Sequence, residues 1–275
     1  MLYIAVFDGD RGVTVNTGAC GALNSGSIPD GRPKRYTYST MDITLIFPAH
    51  NEEAYIGNAI DVAKKYSRGK LKEIIVVDNA STDKTAEVAR AHGARVVFEG
   101  QKGLTSARQA GFEATSSEFI AYLDSDTLIT PQWIDIVERA FSERPDIVSL
   151  SGPRRHFGTV WYRRWILNAV WVVAPLTYYV VGYMILGGNF VAKRSAIEKI
   201  GGFDRSIAFY GEDTDLAKRL SKVGKTLFRM NFYVYASARR YEHEGMVKAN
   251  ATYVMNYLWP VFFGRPFSKE YQDVR

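Results

Sequence analysis

Two acidic side chains stand two residues apart, directly after an apolar segment. Asp124 and Asp126 follow the run Phe119–Leu123, which has the composition of a buried strand. Neighbouring carboxylates repel each other unless a cation lies between them. Mg²⁺ and Mn²⁺ prefer oxygen ligands, and such ions bind through one or two carboxylates together with substrate phosphates. The pair therefore indicates a site for a divalent ion and a phosphorylated ligand.

A second acidic segment, Gly211–Asp215, reads Gly-Glu-Asp-Thr-Asp. Apolar residues with helical spacing follow it and predict a helix that ends at Gly224: Leu216, Ala217, Leu220 and Val223. Acidic residues in a first helical turn stabilise the helix dipole, so capping is one interpretation. The aromatic and flexible residues Phe209–Gly211 also suit a functional loop. The residues alone leave both interpretations open.

Alternating strands and helices must position these side chains. Aliphatic runs predict four strands, at Ile43–Phe47, Ile74–Val77, Ala94–Phe98 and Phe119–Leu123. Between them, apolar residues recur at helical spacing, and Asp83 is a capping candidate for the second helix. Such alternation predicts an α/β fold with a mostly parallel sheet that binds ligands at the carboxyl ends of its strands. Polar segments follow three of the strands at that edge, namely Pro48–Glu53, Asp78–Asp83 and Asp124–Asp126.

Six segments together resemble the family-2 glycosyltransferases of the GT-A fold. They are Pro48–Glu53, Val76–Asp83, Lys102–Gly111, Tyr122–Thr127, Leu186–Phe203 and Gly211–Leu220. They span roughly residues 42–240 in the family's order and spacing. The resemblance implies a sheet flanked by helices, with a Rossmann-like nucleotide-binding half and an acceptor half. It also implies an enzyme that moves a sugar, with inversion, from a nucleotide-diphosphate donor to a carbohydrate or lipid-linked hydroxyl acceptor, in cell-envelope glycan or glycolipid synthesis.

The resemblance implies donor-binding roles for several positions. Pro48, Ala49, Asn51 and Glu52 correspond to the edge that contacts the nucleotide base and ribose, and Glu52 supplies the side-chain contact. The residue that accepts a hydrogen bond from the base corresponds to Asp78, and a basic residue near the diphosphate corresponds to Arg108. The ribose side of the acidic pair corresponds to Asp124. The turn Gly187, Gly188 and Asn189 lets the backbone approach the donor sugar, although a plain tight turn is the alternative.

The resemblance also implies the catalytic and metal-binding residues. Asp213 corresponds to the general base, and its neighbour Glu212 is the alternative. Asp126, with Asp124, corresponds to the ligands of a Mn²⁺ or Mg²⁺ ion that reaches both phosphates. His243 is the candidate for a third ligand. Arg239 and Arg240 are candidates for clamping the diphosphate.

Other functions stay open beside this one. A polyprenyl-phosphate acceptor is already ionised, so a transferase acting on it would need no base. A non-catalytic nucleotide-binding domain is a further alternative. A nucleotidyltransferase is disfavoured because the turn Pro48–Glu53 is acidic and lacks glycine. The chain has no Gln-x-x-Arg-Trp segment, which favours single sugar additions over processive synthesis.

The whole chain of 275 residues carries a formal net charge of +6. It has no long Lys/Arg run and no zinc-knuckle spacing, so nucleic acid is not expected as a partner. The lone Cys20 and the lack of a secretory pattern favour a cytoplasmic location. We expect residues 1–40 to be a disordered extension and residues 41–150 the nucleotide-binding half. Residues 151–245 form the acceptor half, and residues 246–275 an apolar or amphipathic helix and tail.

Two apolar runs, Trp165–Leu186 and Tyr253–Phe263, raise the question of a membrane. A single crossing by the first run would separate Asp126 from Asp213, which argues against a span. Arginines precede this run and suit an anionic bilayer interface: Arg154, Arg155, Arg163 and Arg164. We expect peripheral contact with the inner face of the cell membrane; burial in the core or a dimer contact is the alternative.

Overall fold

A computed structural model describes residues 41–157, 174–207, 211–239, 241 and 255. The strands are β1 (Ile43–Ala49), β2 (Glu73–Asp78), β3 (Arg95–Phe98), β4 (Phe119–Leu123), β5 (Thr127–Leu128), β6 (Ile147–Ser151), β7 (Arg154–Phe157), β8 (Asn189–Lys193), β9 (Lys225–Phe228) and β10 (Val234–Ser237). The helices are α1 (Ile56–Ser67), α2 (Thr85–Ala91), α3 (Leu104–Glu113), α4 (Trp133–Glu143), α5 (Ala174–Val181), α6 (Arg194–Lys199) and α7 (Glu212–Ser221).

Seven strands form the central sheet in the order β3-β2-β1-β4-β8-β6-β9. Its neighbouring strands run parallel except at β8, which is antiparallel to both β4 and β6. The predicted α/β fold with a mostly parallel sheet is therefore confirmed. The antiparallel pairing has a local consequence, because Asn189 lies opposite Leu123. The turn before β8 is thereby brought to the edge where the carboxyl ends of β1, β2 and β4 lie.

The inner strands of the central sheet are buried on both faces, which explains why they are mostly apolar. Side chains of β1 alternate between two cores: Ile43, Leu45 and Phe47 pack in one and Ile46 in the other. Residues of α1 and α4 complete the first core, and residues of α3, α6 and α7 complete the second. The acidic segment at the start of α7 and the arginine of α3 therefore approach the sheet from the same face.

Asp83 has the capping contacts that its position before the second helix predicts. Its Oδ1 accepts a hydrogen bond from the Thr85 backbone N–H at 2.9 Å, and α2 begins at Thr85. Its Oδ2 accepts one from the Glu53 N–H at 3.1 Å, so the same side chain also joins two loops. These hydrogen bonds hold the pKa of the Asp83 carboxyl below its ordinary value, against the opposing effect of burial.

Several expectations fall on residues outside the described ones. These are the extension 1–40, Arg163, Arg164, residues 165–173 of the first apolar run, Arg240, His243 and nearly all of residues 246–275. Within the described ranges, no helix has the length and apolar character needed to cross a bilayer. Strands from both 41–150 and 151–245 contribute to the one central sheet.

Candidate active site

Hydrogen bonds join the loops that follow β1, β2 and β4. The Pro48 carbonyl accepts a hydrogen bond from the Ser125 hydroxyl at 2.7 Å. Asn51 has a φ of 53°, and its side-chain oxygen accepts from the Thr82 backbone N–H at 2.8 Å. Asp78 is buried, and its Oδ1 accepts from the Ser81 backbone N–H at 3.1 Å. The three loops therefore form one connected surface at the carboxyl edge of the sheet, as the parallel sheet predicts.

Glu52 is held inside this surface. Its side chain is 3% exposed and forms an ion pair with the Arg239 guanidinium, while its backbone N–H donates to the Thr85 hydroxyl at 2.7 Å. The same guanidinium lies 4.7 Å from the centroid of the Tyr55 ring. Glu52 thus faces Arg239, and the ion pair holds the guanidinium at this surface.

The Asp124 and Asp126 carboxylates each meet an arginine from a distant segment. Arg154 Nη1 lies 2.7 Å from Asp124 Oδ2, and Arg239 Nε lies 3.3 Å from Asp126 Oδ2. Burial and the charge of Asp124 raise the pKa of the Asp126 carboxyl to about 6, against the opposing charge of Arg239. Positive charge beside Asp126 therefore favours the ionised form of this carboxyl.

A second acidic pair, Glu212 and Asp213, occupies the first turn of α7. Arg108 Nη1 donates to Glu212 Oε1 at 2.9 Å, and the two side chains are 1% and 10% exposed. Asp213 Oδ1 accepts a hydrogen bond from the Thr214 backbone N–H at 2.8 Å. Burial raises the pKa of both carboxyls, and Arg108 opposes both shifts. Arg108 was expected at the diphosphate, but its guanidinium lies inside the protein and contacts Glu212.

One turn lies against both acidic pairs. A Cβ placed on Gly188 would lie 2.2 Å from Asp124 Oδ2, and a Cβ placed on Gly187 would lie 3.1 Å from Glu212 Oε1. The Gly187 backbone N–H also points to Asp213 Oδ2 at 3.4 Å. Both distances are shorter than an ordinary contact, so a side chain at either position would displace the neighbouring carboxylate. Consecutive residues thus lie against Asp124, directly after β4, and the acidic pair of α7, which are far apart in the chain.

The third residue of this turn, Asn189, attaches it to the core. Its side chain is fully buried and accepts a hydrogen bond from Trp133 Nε1 at 3.1 Å. Its amide nitrogen donates to the Phe232 carbonyl at 2.7 Å and to the Gly152 carbonyl at 3.2 Å. A side chain engaged in this way anchors the turn, and the approach of the turn's backbone to the donor sugar stays a prediction.

One residue of the candidate site, Arg154, could not be assigned to it from the sequence. Arg154 was counted with the basic residues beside the apolar run, yet it pairs with Asp124. Nothing in its spacing identifies it, because Arg154 on β7 reaches Asp124 only through the tertiary fold. In the part of the chain that the structure describes, no three His, Cys, Asp or Glu side chains form a cluster that could hold a metal ion by themselves.

Comparison with known proteins gives a family match over this region. The model of glycosyl transferase family 2 matches residues 44–201, which is more than half of the chain. A second model, the N-terminal domain of galactosyltransferase, matches residues 169–244. The matched residues include both acidic pairs and the turn between them.

Several relatives of similar sequence are glycosyltransferases. Glucosyl-3-phosphoglycerate synthase from Mycobacterium tuberculosis is 39% identical over 97 residues, which is 32% of this chain and 30% of that protein. Glycosyltransferase AglE from Haloferax volcanii is 31% identical over 100 residues, 34% of this chain and 33% of that protein. The alignments thus span about a third of the length of these relatives.

Two solved structures show the same fold. The M. tuberculosis synthase in complex with Mn²⁺, uridine-diphosphate-glucose and phosphoglyceric acid has a TM-score of 0.55 at 23% identity, covering 83% of this chain and 81% of that one. The mannosyltransferase PcManGT from Pyrobaculum calidifontis, in complex with GDP-Man and Mn²⁺, has a TM-score of 0.60 at 20% identity, covering 82% and 65%. At these identities the likeness establishes the GT-A fold.

Proposed function

The chain belongs to glycosyl transferase family 2, and from that membership we propose a specific reaction for it. The protein transfers a sugar from a nucleotide-diphosphate donor to a hydroxyl acceptor, with inversion and with the help of a divalent ion. The observation that carries this proposal is the turn Gly187–Gly188, which lies against Asp124 on one side and against Asp213 on the other. An acid pair suited to a phosphorylated ligand and a second acid suited to proton transfer are therefore neighbours.

The donor nucleotide binds at the connected loops after β1 and β2. Pro48, Ala49 and Asn51 form the edge for the base and ribose, and Asp78 accepts a hydrogen bond from the base. Glu52 acts through Arg239, which it orients toward the diphosphate by an ion pair. Arginine suits this role because its planar guanidinium can donate two parallel hydrogen bonds to phosphate oxygens.

The residues present fit a Mn²⁺ or Mg²⁺ ion. Asp126 and Asp124 offer hard oxygen ligands, and the pKa of Asp126 is raised by burial and by the charge of Asp124, both of which a bound cation would offset. An ion of this kind needs only one or two protein carboxylates when substrate phosphates complete its shell, which agrees with the number offered here. His243 stays the candidate for a further ligand. When bound, the ion supplies positive charge where the departing diphosphate becomes more negative.

The side chains then divide the chemistry between them. The acceptor oxygen forms a bond to the anomeric carbon while the bond from that carbon to the diphosphate oxygen breaks, and the nucleoside diphosphate leaves. Asp213 accepts the proton of the acceptor hydroxyl. Arg154 and Arg239 stabilise the charge that develops on the leaving group. A single displacement with one base predicts inversion at the anomeric carbon, because no covalent sugar–enzyme intermediate intervenes.

A polyprenyl-phosphate acceptor is the second candidate within the family. Its phosphate oxygen is already ionised, so the reaction would proceed without proton transfer to Asp213. A non-catalytic nucleotide-binding domain is disfavoured, because decay of the active site would not keep Asp124, Asp126 and Asp213 together around one glycine turn. Cell-envelope glycans or glycolipids are the acceptor class that we propose.

We also propose that the outer face of α5 contacts the membrane, where a lipid-linked acceptor would be presented. Leu176, Tyr179 and Val180 follow helical spacing and are 65%, 81% and 79% exposed. Tyr178 on the inner face donates a hydrogen bond to the Thr226 carbonyl at 2.8 Å, so the helix is attached to β9. Arg154 was counted toward this surface, but it pairs with Asp124 and belongs to the active site.

A thermal-shift panel tests the proposed function. Nucleoside-diphosphate sugars are added to the full chain with Mn²⁺, and a donor raises the melting temperature because it binds the folded state only. We expect one nucleotide class to stabilise the protein with Mn²⁺ and to lose most of that effect in EDTA. If no nucleotide-sugar stabilises the protein with Mn²⁺ or Mg²⁺, the proposal is wrong.

A further inference from the structure

A buried arginine lies behind the acidic pair at the start of α7. Arg108 is 1% exposed, pairs with Glu212 at 2.9 Å, and its guanidinium lies 5.8 Å from the centroid of the Phe190 ring. Its backbone carbonyl accepts a hydrogen bond from the Tyr122 hydroxyl at 2.8 Å, which fixes this part of α3 to β4. A charged group at this depth is costly unless it is paired, so Glu212 is the partner that keeps Arg108 inside the protein.

The glycine turn closes around this ion pair. A Cβ placed on Gly187 would lie 2.5 Å from Arg108 Nη2 and 3.1 Å from Glu212 Oε1. The Gly187 N–H, in turn, lies 3.4 Å from Asp213 Oδ2. The backbone of one residue thus packs on the ion pair and contacts the proposed base, so a change in the position of Glu212 would be transmitted to Asp213.

The packing leaves one polar atom unsatisfied. Arg108 Nε is buried and has no hydrogen-bond partner among the described residues. Replacing such an arginine with a neutral residue in a well-packed site is often neutral or stabilising, provided that its acidic partner is replaced as well. The site therefore keeps a charged group whose contribution to stability is small or unfavourable, which indicates a role in function.

The charges around Asp213 identify that role. Glu212 is its neighbour in the chain, Arg108 faces the pair from α3, and Arg154 faces it from β7. Burial raises the pKa of both carboxyls, and the charge of Asp213 raises that of Glu212 further, whereas Arg108 lowers both. Without Arg108, the pair would bind a proton at higher pH, and a protonated Asp213 cannot accept one from an acceptor hydroxyl.

We propose that Arg108 is a positioning residue, which holds the Glu212 carboxylate and, through the Gly187 backbone, the Asp213 carboxylate in place without contacting the donor. This inference rests on the proposed function, because it assumes that Asp213 is the base. It separates Arg108 from Arg154 and Arg239, which face the diphosphate. Replacing a positioning arginine should change the titration of the acidic pair and leave donor binding unchanged. Replacing an arginine that binds the diphosphate should weaken donor binding.

The test compares Arg108→Gln and Arg108→Lys with the wild-type chain, using two measurements that need no acceptor. Carbon-13 NMR follows the titration of the Glu212 and Asp213 carboxyls, and calorimetry gives the Kd of UDP or GDP with Mn²⁺. We expect Arg108→Gln to raise the apparent pKa of the pair by about one unit or more. The lysine variant, which keeps the charge, shows a smaller shift, and the Kd changes less than about twofold in both. An increase in Kd of tenfold or more with an unchanged titration would overturn the proposal.

Controls separate this result from misfolding and from failure of the proposed function. Arg95→Gln removes an exposed arginine that also pairs with a glutamate, Glu73, and should change neither measurement. Where Arg108→Gln does not fold, the double variant Arg108→Gln/Glu212→Gln removes both buried charges. It should bind the nucleotide as well as Glu212→Gln does, and a tenfold weaker Kd contradicts the inference. If the wild-type chain binds neither UDP nor GDP with Mn²⁺, the proposed function is wrong. If only the Arg108 variants bind weakly, the proposed function stands and the inference about Arg108 is wrong.

Discussion

Both carboxylates that we assign to the metal ion have an arginine from a distant part of the chain beside them. Asp124 meets Arg154, and Asp126 meets Arg239. These arginines lower the repulsion within the acidic pair, which agrees with a site that later receives a cation and a diphosphate. The electrostatic balance at this edge therefore depends on side chains that no local sequence pattern connects.

Asp213→Asn tests the base most directly at the scale of one residue. Asparagine keeps the shape of the side chain and can still accept a hydrogen bond from the Gly187 N–H, but it cannot accept a proton. We expect a loss of at least ~10²-fold in kcat, since a positioned base contributes about 10²–10⁴-fold. Donor binding, measured by thermal shift, should persist. The measurement is the release of nucleoside diphosphate in the presence of acceptor.

Normal turnover by Asp213→Asn would reject the base assignment. It would also favour an acceptor that is already ionised, such as a polyprenyl phosphate. Glu212→Asn serves as the companion variant, because it removes the partner of Arg108 while it leaves the Asp213 carboxylate in place.

At the scale of elements, the turn before β8 decides the geometry of the site. Its two glycines lie against the acidic pairs, and its third residue holds it to the core. Strand β8 runs antiparallel to β4, so β8 begins at the edge where β4 ends. The turn that precedes β8 therefore lies at the carboxyl edge of the parallel strands. A parallel β8 would have carried these residues to the opposite edge of the sheet.

Asn189→Ala should destabilise the fold as well as the site. The substitution leaves Trp133 Nε1 and the carbonyls of Phe232 and Gly152 without their buried partner. We expect the free energy of unfolding to fall by roughly 3 kcal/mol or more, because each unsatisfied buried group costs about 1–3 kcal/mol. Urea denaturation measures the change. Asn58→Ala, on the exposed face of α1, is the matched control and should shift stability by less than about 0.5 kcal/mol.

A loss as small as that of the control would mean that water replaces the Asn189 amide. The turn would then owe its position to the glycines alone, and the anchoring role of Asn189 would be wrong.

The sequence predicts the first half of the sheet well, and for a physical reason. The strands β1, β2 and β4 are mostly apolar and buried, and their polar ends must meet at one edge because the strands run parallel. The order and direction of β6, β8 and β9 have no comparable local signal, since they depend on pairing between distant segments. For the same reason the sequence locates the carboxylates but not Arg154, and it gives no sign that the Asn189 side chain anchors the turn to the core.

At the scale of the molecule, the exposed stripe on α5 lies beside β9, whereas β3 forms the opposite edge of the central sheet. The double variant Leu176→Asp/Val180→Asp adds two negative charges to the stripe. We expect it to lose binding to anionic phosphatidylglycerol vesicles at low salt, because it removes apolar contact and adds repulsion. Co-sedimentation measures the bound fraction.

Phe98→Asp is the control for this experiment. Phe98 is 70% exposed on β3, so Phe98→Asp also replaces an exposed apolar side chain with a negative charge, but at the other edge of the sheet. The account predicts that Phe98→Asp binds vesicles as the wild-type chain does. Failure of the wild-type chain to bind anionic vesicles at low salt would dismiss the membrane contact.

The central claim is that carboxylates from separate parts of the chain bind a divalent ion together with a nucleoside diphosphate. Isothermal titration of UDP and of GDP, each with Mn²⁺ and with EDTA, tests it most directly when the wild-type chain is compared with Asp126→Asn. The account predicts that one nucleotide binds at least tenfold more tightly with Mn²⁺ to the wild-type chain, and that Asp126→Asn removes this difference. Equal affinity with and without the ion, or an Mn²⁺ effect that persists in Asp126→Asn, would contradict it.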